Sequence, residues 1–190
     1  MQFVLDNMNY YLDLFSPETA KAFEKSGMEV SGFQISRKGY IDTHKIGPGD
    51  RFICYITRLQ RFIGVLEVKS ESFQDNRPIF KEDDPFVLRF KVQKLVWLPL
   101  EKSIPIHLDL LWNTLSFTKG LSKDSNRWTY MVFSSPRLWP QADCAFLERQ
   151  LIEQEQKQID YPLSEDDIKK LKTPKIRISD KKEVEVSIPS

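Results

Sequence analysis

Two segments of this 190-residue chain combine aromatic, hydroxyl and basic side chains, the residue types that bind nucleobases and phosphates. The first runs from Glu29 to Lys38, where Gly32 allows a tight turn, Ser31 offers a hydroxyl and Phe33 offers a ring. The second, residues 115–139, places rings among basic residues. Its rings are Phe117, Trp128, Tyr130, Phe133 and Trp139, and its cations are Lys119, Lys123, Arg127 and Arg137. Recognition of a base requires rings that stack on it and cations that bind its phosphates. The competing interpretation is that the rings belong to the hydrophobic core and that the cations are only solvated surface charges.

Enzyme signatures are scarce by comparison. The sequence has no nucleophile elbow, phosphate-binding loop, dinucleotide fingerprint or zinc-protease motif. Glu67-Val68-Lys69 has the local spacing of the acid-x-lysine part of a magnesium-dependent nuclease site, but an exposed strand end explains it equally. Cys54 and Cys144 stand alone in apolar segments, and His44 is far from His107. We therefore expect buried thiols, no metal site, no cofactor and no catalytic residue.

Composition restricts the class of protein further. Apolar residues make up 41% of the chain and charged residues 29%, which indicates one globular domain rather than a membrane or disordered chain. No apolar run approaches the roughly 20 residues of a membrane helix, and the first fifteen residues carry no basic side chain. We expect a cytoplasmic protein. The net charge is +1, so nucleic-acid binding is permitted but not required.

Strand patterns dominate the middle of the chain. They occur at 51–57, 61–69, 86–97 and 128–134, each rich in aromatic and β-branched residues. Gly64 suggests a bulge or a close backbone approach, and Gly47-Pro48-Gly49-Asp50 predicts a turn. Helices are predicted from a Ser16 cap up to Gly27, in a short stretch within 102–112, and at 141–157 and 164–172.

Isolated helices between strands favour an α+β fold, a small mixed β-barrel of about five to six strands with helices packed outside. We expect the barrel domain to span residues 1–158. Residues 159–190 form a C-terminal extension or linker, in which 175–178 and 184–188 alternate weakly and could be strands or lead to a further domain.

An ordered set of segments resembles the EVE family, PUA-like relatives of the ASCH and YTH domains. The set runs over most of the chain: Asn9–Leu12, Val30–Phe33, Gly47–Phe52, Phe62–Val68, Pro78–Phe80, Pro85–Phe90, Leu115–Phe117, Arg127–Ser134 and Arg137–Leu138. The resemblance implies a PUA-like barrel that holds a flipped base, since related YTH domains close an aromatic cage on N6-methyladenine. Val30–Phe33 would be the turn after the first helix, and Phe33 or another ring would stand where several relatives carry Trp.

The resemblance also implies the site residues. The base-binding set is Ser31, Gly32, Phe33, Phe80, Phe86, Trp128, Phe133, Ser134 and Arg137. The phosphate-binding set is Lys38, Lys119, Lys123 and Arg127.

We therefore expect a non-enzymatic nucleic-acid-binding module that recognises a modified, methylated or hydroxymethylated base. Modified DNA is favoured over RNA as its partner, with a possible fused or associated nuclease in a restriction or defence system and no membrane partner. The alternatives are a nuclease or base-modifying enzyme on the same fold, and a small-ligand or protein-interaction module.

Overall fold

The computed structural model describes residues 7–173, which form a curled β-sheet with helices outside it. The strands are β1 (Tyr10–Phe15), β2 (Val30–Phe33), β3 (Arg51–Ile56), β4 (Arg61–Val68), β5 (Phe73–Gln74), β6 (Leu88–Trp97), β7 (Ile104–Pro105) and β8 (Arg137–Leu138). Six of them follow the order β2-β6-β4-β3-β1-β8, while β5 pairs with β6 and β7 with β4. Strand β1 is parallel to β3, and the other pairs are antiparallel. The α+β mixed-sheet prediction is confirmed.

Within residues 7–173, five α-helices accompany this sheet. They are α1 (Pro17–Lys25), α2 (Lys38–His44), α3 (Asp109–Thr114), α4 (Gln141–Lys157) and α5 (Glu165–Lys172). Ser16 caps α1 and Ser164 caps α5, and each hydroxyl accepts a hydrogen bond from a backbone N–H of the first turn, as the sequence predicts. Between residues 7 and 173, no helix is long and apolar enough to cross a membrane.

The sheet curls around three rings that pack together in its interior. Phe33 on β2, Phe52 on β3 and Phe90 on β6 lie with ring centroids 5.4 to 6.0 Å apart. Strands β2 and β3 are not neighbours in the sheet, so their rings meet only if the sheet bends around them. All three side chains are buried, which makes them the centre of the barrel core.

Two glycines occupy positions that a side chain would disturb, one in a close strand contact and one in a turn. Gly64 on β4 lies so close to β6 that a Cβ there would clash with the Val96 carbonyl oxygen. The pairing register of β4 shifts on both sides of this residue, as expected of a bulge. Gly49 takes φ +95° in the predicted turn before β3, a conformation that favours glycine.

Long periodic patterns were predicted correctly, and two short ones were not. The strands at β3, β4 and β6 and helix α4 agree with their sequence patterns. Residues 128–134 were predicted as a strand, but Thr129–Val132 forms a 3-10 helix. The prediction was wrong because the aromatic and β-branched residues of this segment occupy a short helical turn that has one buried and one exposed side. Val30–Phe33, predicted as a turn, is strand β2.

Part of the predicted C-terminal extension contacts the barrel. The buried Arg61 guanidinium donates hydrogen bonds to the carbonyl oxygens of Tyr161 (2.6 Å) and Pro162 (3.1 Å). Arg58 donates to the Thr173 carbonyl at 2.7 Å. Segment 159–173 is thereby attached to the β3–β4 turn. The possible strands at 175–178 and 184–188 lie outside the described residues.

Candidate nucleic-acid interface

The two edges of the curled sheet meet at what we call the seam, formed by Asp13, Ser31, Arg37, Tyr40 and Pro136. Ser31 on β2 donates its hydroxyl to the Asp13 carboxylate on β1 at 2.5 Å. Arg37 follows β2 and donates from Nη2 to the carbonyl oxygen of Pro136, which precedes β8, at 2.8 Å. The two aromatic and basic segments of the sequence therefore meet in space, although 99 positions separate Arg37 from Pro136.

Arg37 is held in place and still has an unused donor. Its guanidinium carbon lies 4.6 Å from the centroid of the Tyr40 ring. The Tyr40 hydroxyl in turn accepts a hydrogen bond from the Leu138 N–H on β8 at 2.8 Å. The Arg37 Nε is buried and has no hydrogen-bond partner among residues 7–173. A buried donor without a partner is costly, so this atom adds an unsatisfied polar group to the seam.

Asp13 is an unusual carboxyl because no cation within residues 7–173 pairs with it. Burial raises its pKa from 3.8 to about 7, and the hydrogen bond from Ser31 opposes that rise. Among other buried acids, Glu148 pairs with Arg51 and Asp84 with Arg89. The seam thus contains a carboxyl group that changes charge near neutral pH.

Gly32, Phe80 and Phe86 form a packed aromatic cluster on the other face of β2. A Cβ at Gly32 would lie 2.7 Å from the Phe86 carbonyl oxygen and 2.9 Å from the Phe80 ring. The two rings meet edge to face with centroids 5.7 Å apart. Gly32 is therefore required for close packing rather than for a turn.

The loop that carries these rings is held by a buried ion pair that the sequence analysis missed. Asp84 accepts hydrogen bonds from the backbone N–H groups of Ile79, Phe80 and Phe86 at 2.8 to 3.0 Å. Arg89, whose side chain is fully buried, lies 3.3 Å from Asp84 and donates to the Phe86 carbonyl at 3.1 Å. These contacts fix both rings against β2 before any ligand binds.

Two further predicted base-binding rings, Phe33 and Trp128, belong to the buried core, as Phe80 does. Phe33 packs against Phe52 and Phe90 inside the barrel. Trp128 is 1% exposed, packs edge to face on Trp112, and donates its indole N–H to the Ser125 carbonyl at 2.9 Å. Both rings contribute chiefly to stability in this conformation.

The remaining predicted residues lie at the surface after the 3-10 helix. Phe133 is 87% exposed and Ser134 is half-buried. Arg137 donates from Nη1 to the Tyr130 carbonyl at 2.6 Å, and its guanidinium carbon lies 5.4 Å from the Tyr130 ring centroid. This group is continuous with the seam, since Pro136 precedes Arg137.

Two of the four predicted phosphate-binding cations form ion pairs with acids of the described chain, and two do not. Lys38 pairs with Asp42 in α2, and Lys123 pairs with Asp109. Lys119 and Arg127 are exposed and make no ion pair within the described part of the chain. All four assignments stay predictions.

The nuclease-like triplet Glu67-Val68-Lys69 and two surface grooves lie outside the predicted base-binding set. Glu67 binds Lys69 directly, and residues 7–173 contain no group of three or more His, Cys, Asp or Glu side chains able to hold a metal ion. A groove of about 200 Å³ lies between α3 and α4, and another of about 380 Å³ lies beside α2. Neither is lined by a residue of the predicted base-binding set.

Comparison with known proteins places the fold among YTH domains. A structure of the Mmi1 YTH domain in complex with RNA covers 82% of this chain and 85% of its own, with a TM-score of 0.56 and 13% identity. The Pho92 YTH domain in complex with m6A covers 80% and 90%, with a TM-score of 0.53 and 12% identity. The YTH domain of Zygosaccharomyces rouxii MRB1, in complex with N6-methyladenosine RNA, covers 77% and 88%, with a TM-score of 0.51 and 12% identity.

These likenesses concern the arrangement of the backbone. The chain has the fold of YTH domains, to which the sequence resemblance also pointed. Comparisons with family models and with curated proteins find no match.

Proposed function

We propose that this chain is a nucleic-acid-binding module of the EVE type that holds a flipped, modified base at the seam. The observation that carries the proposal is the contact between Arg37 and Pro136, which joins the two aromatic and basic segments on a fold shared with YTH domains. At this place the side chains of Arg37 and Tyr40 are half-buried, and the exposed Phe133 ring lies three residues before Pro136.

Binding energies decide what such a site must provide. Taking one base out of its stack costs a few kcal/mol. Stacking on a protein ring returns roughly 1–3 kcal/mol per base, and hydrogen bonds to the base edge add to it. Burying one methyl group contributes only about 0.8 kcal/mol. Strong selectivity for a methylated base therefore requires a tightly packed apolar wall around the methyl group.

RNA carrying N6-methyladenosine is the first ligand to test, because two of the structural neighbours were solved with that modification. Modified DNA in a restriction or defence system is the second, and the resemblance to EVE proteins supports it. The proposed activity is binding, with no catalytic step assigned to any residue.

Substitution of Arg37 tests the proposed location. We expect Arg37→Ala to weaken binding of a modified single-stranded oligonucleotide about tenfold or more, because the charged donor at the seam is lost. Arg37→Lys keeps the charge but not the planar fork, and should recover only part of the affinity. Arg149→Ala removes an exposed arginine from α4 and serves as the matched control.

Fluorescence anisotropy measures the three affinities, and circular dichroism checks that each variant is folded. If Arg37→Ala binds as tightly as Arg149→Ala, the seam is not the binding site.

A further inference from the structure

A stripe of surface rings and cations extends from the seam along the 3-10 helix Thr129–Val132. We define the stripe as Arg127, Tyr130, Phe133 and Arg137. The helical turn begins at Asn126, whose carbonyl oxygen accepts a hydrogen bond from the Thr129 N–H at 3.1 Å. Residues three apart eclipse one another in a 3-10 helix, and Phe133, its C-terminal cap, follows Tyr130 by three residues. Arg127 lies three residues before Tyr130, in the turn that leads into the helix.

The opposite side of the same helical turn packs against the core. Trp128 is 1% exposed and Met131 is 8% exposed, and both face the interior. Tyr130 is 57% exposed and Phe133 is 87% exposed. Phe133 in water forgoes most of the roughly 1.5–3 kcal/mol that full burial of such a side chain is worth, and exposed rings of this kind mark candidate binding surfaces.

The charges around the stripe select the kind of partner. From Lys119 to Arg137 the chain carries four basic residues and one acid, Asp124. Neither Arg127 nor Arg137 takes part in an ion pair within residues 7–173. Arg137 is instead held beside the Tyr130 ring by its hydrogen bond to the Tyr130 carbonyl. Positive charge next to stacking rings complements a phosphate backbone with accessible bases.

The position of the stripe next to the seam favours a single-stranded ligand over a duplex. Phe133 is three residues before Pro136, which contacts Arg37. A strand that places one base in the seam would therefore pass over the stripe. A duplex buries the faces of its bases, whereas a single strand offers them to a ring.

We propose that the stripe stacks the bases that flank the recognised base, so that the ligand is a single strand. This inference rests on the proposed function and adds a second binding surface to it. Tyr130 and Phe133 contact the flanking bases, and Arg127 and Arg137 contact their phosphates. The rings give affinity without base selectivity, because every base presents a flat face.

The test uses a single strand of about nine nucleotides with one central modified base, a length within the range that a groove for single-stranded nucleic acid spans. The comparison ligands are the same strand without the modification and the two duplexes made by annealing each strand to its complement. The double variant Tyr130→Ala/Phe133→Ala should bind the modified single strand at least tenfold more weakly than the wild type. Its ratio of modified to unmodified affinity should stay within about twofold of the wild-type ratio. Ile152→Ala, which truncates an exposed apolar residue on α4, should change nothing.

The wild type should also prefer the single strand to the duplex at least tenfold. Both rings are exposed, so the double variant should unfold at the wild-type temperature, and thermal unfolding checks this. Unchanged affinity of the double variant, a collapsed modification ratio, or equal binding of duplex and single strand would each overturn the inference while leaving the proposed function standing. Failure of the wild type to bind any of these oligonucleotides would overturn both.

Discussion

Replacing Asp13 with asparagine should change how the stability of the protein depends on pH. The Asp13 carboxyl lies in the seam, 2% exposed, with the Ser31 hydroxyl as its hydrogen-bond partner and no ion-pair partner among residues 7–173. Its pKa is raised from 3.8 to about 7, mainly by burial. An asparagine side chain at this position would keep the shape of the carboxyl group but would never ionise.

Proton linkage gives the sign and the size of this pH dependence of the free energy of unfolding. Between about pH 4 and pH 7 the folded protein keeps a proton on Asp13 that the unfolded chain has lost, so the free energy of unfolding falls as pH rises through this range. A shift of about three pKa units corresponds to about 4 kcal/mol, with 1.36 kcal/mol per unit. Above pH 7 the loss is complete and the dependence ends. Asp13→Asn removes this dependence.

Urea unfolding at pH 5 and pH 8 measures the effect for both proteins. The stability of Asp13→Asn relative to the wild type should increase from pH 5 to pH 8 by about 2–3 kcal/mol, since only part of the window lies above pH 5. The pKa of His107 is lowered by burial, which gives stability an opposite pH dependence, but it is common to both proteins and cancels.

Ser31→Ala tests the contribution of the hydroxyl that is hydrogen-bonded to Asp13. Loss of this hydroxyl removes the hydrogen bond that lowers the pKa of Asp13, so the pH dependence of stability should extend to higher pH. Parallel stability curves for the wild type and Asp13→Asn between pH 5 and pH 8 would refute this account of the seam.

Two further substitutions test the packing around the site. Gly32→Ala should destabilise the protein by about 1–3 kcal/mol in urea unfolding, because the new methyl group would meet the Phe86 carbonyl and the Phe80 ring; stability within about 0.5 kcal/mol of the wild type would contradict the close approach. Arg61→Ala should release the segment around Tyr161 and increase hydrogen exchange in α5, since two carbonyl oxygens lose their donor; unchanged protection of α5 would mean that other contacts hold it.

Much of the fold could be predicted because long strands and helices repeat a pattern. Strands β4 and β6 and helix α4 each extend over eight or more residues, so their periodicity outweighs local exceptions. The segment 129–132 has only one turn of structure, and its composition alone suggested a strand. The sequence showed which residues were aromatic, but not that Trp128 faces inward and Phe133 outward.

The candidate site was predictable only in part, because it depends on contacts between distant segments. Both segments were recognisable from their residue types, whereas their meeting through Arg37 and Pro136 arises from the curl of the sheet. Arg37, Tyr40 and Asp13 were missed. A single acid within the apolar run of β1 was a signal for Asp13, since a charge in a buried strand needs a reason.

Titration of the wild type with matched single-stranded oligonucleotides tests the central claim most directly. The set contains no modification, N6-methyladenine, 5-methylcytosine or 5-hydroxymethylcytosine at one position, in RNA and in DNA, at two salt concentrations. The account predicts at least tenfold tighter binding of one modified oligonucleotide, with a selectivity that persists when higher salt weakens all affinities. Binding that ignores the modification and disappears with salt would contradict it, because only a basic surface would then remain.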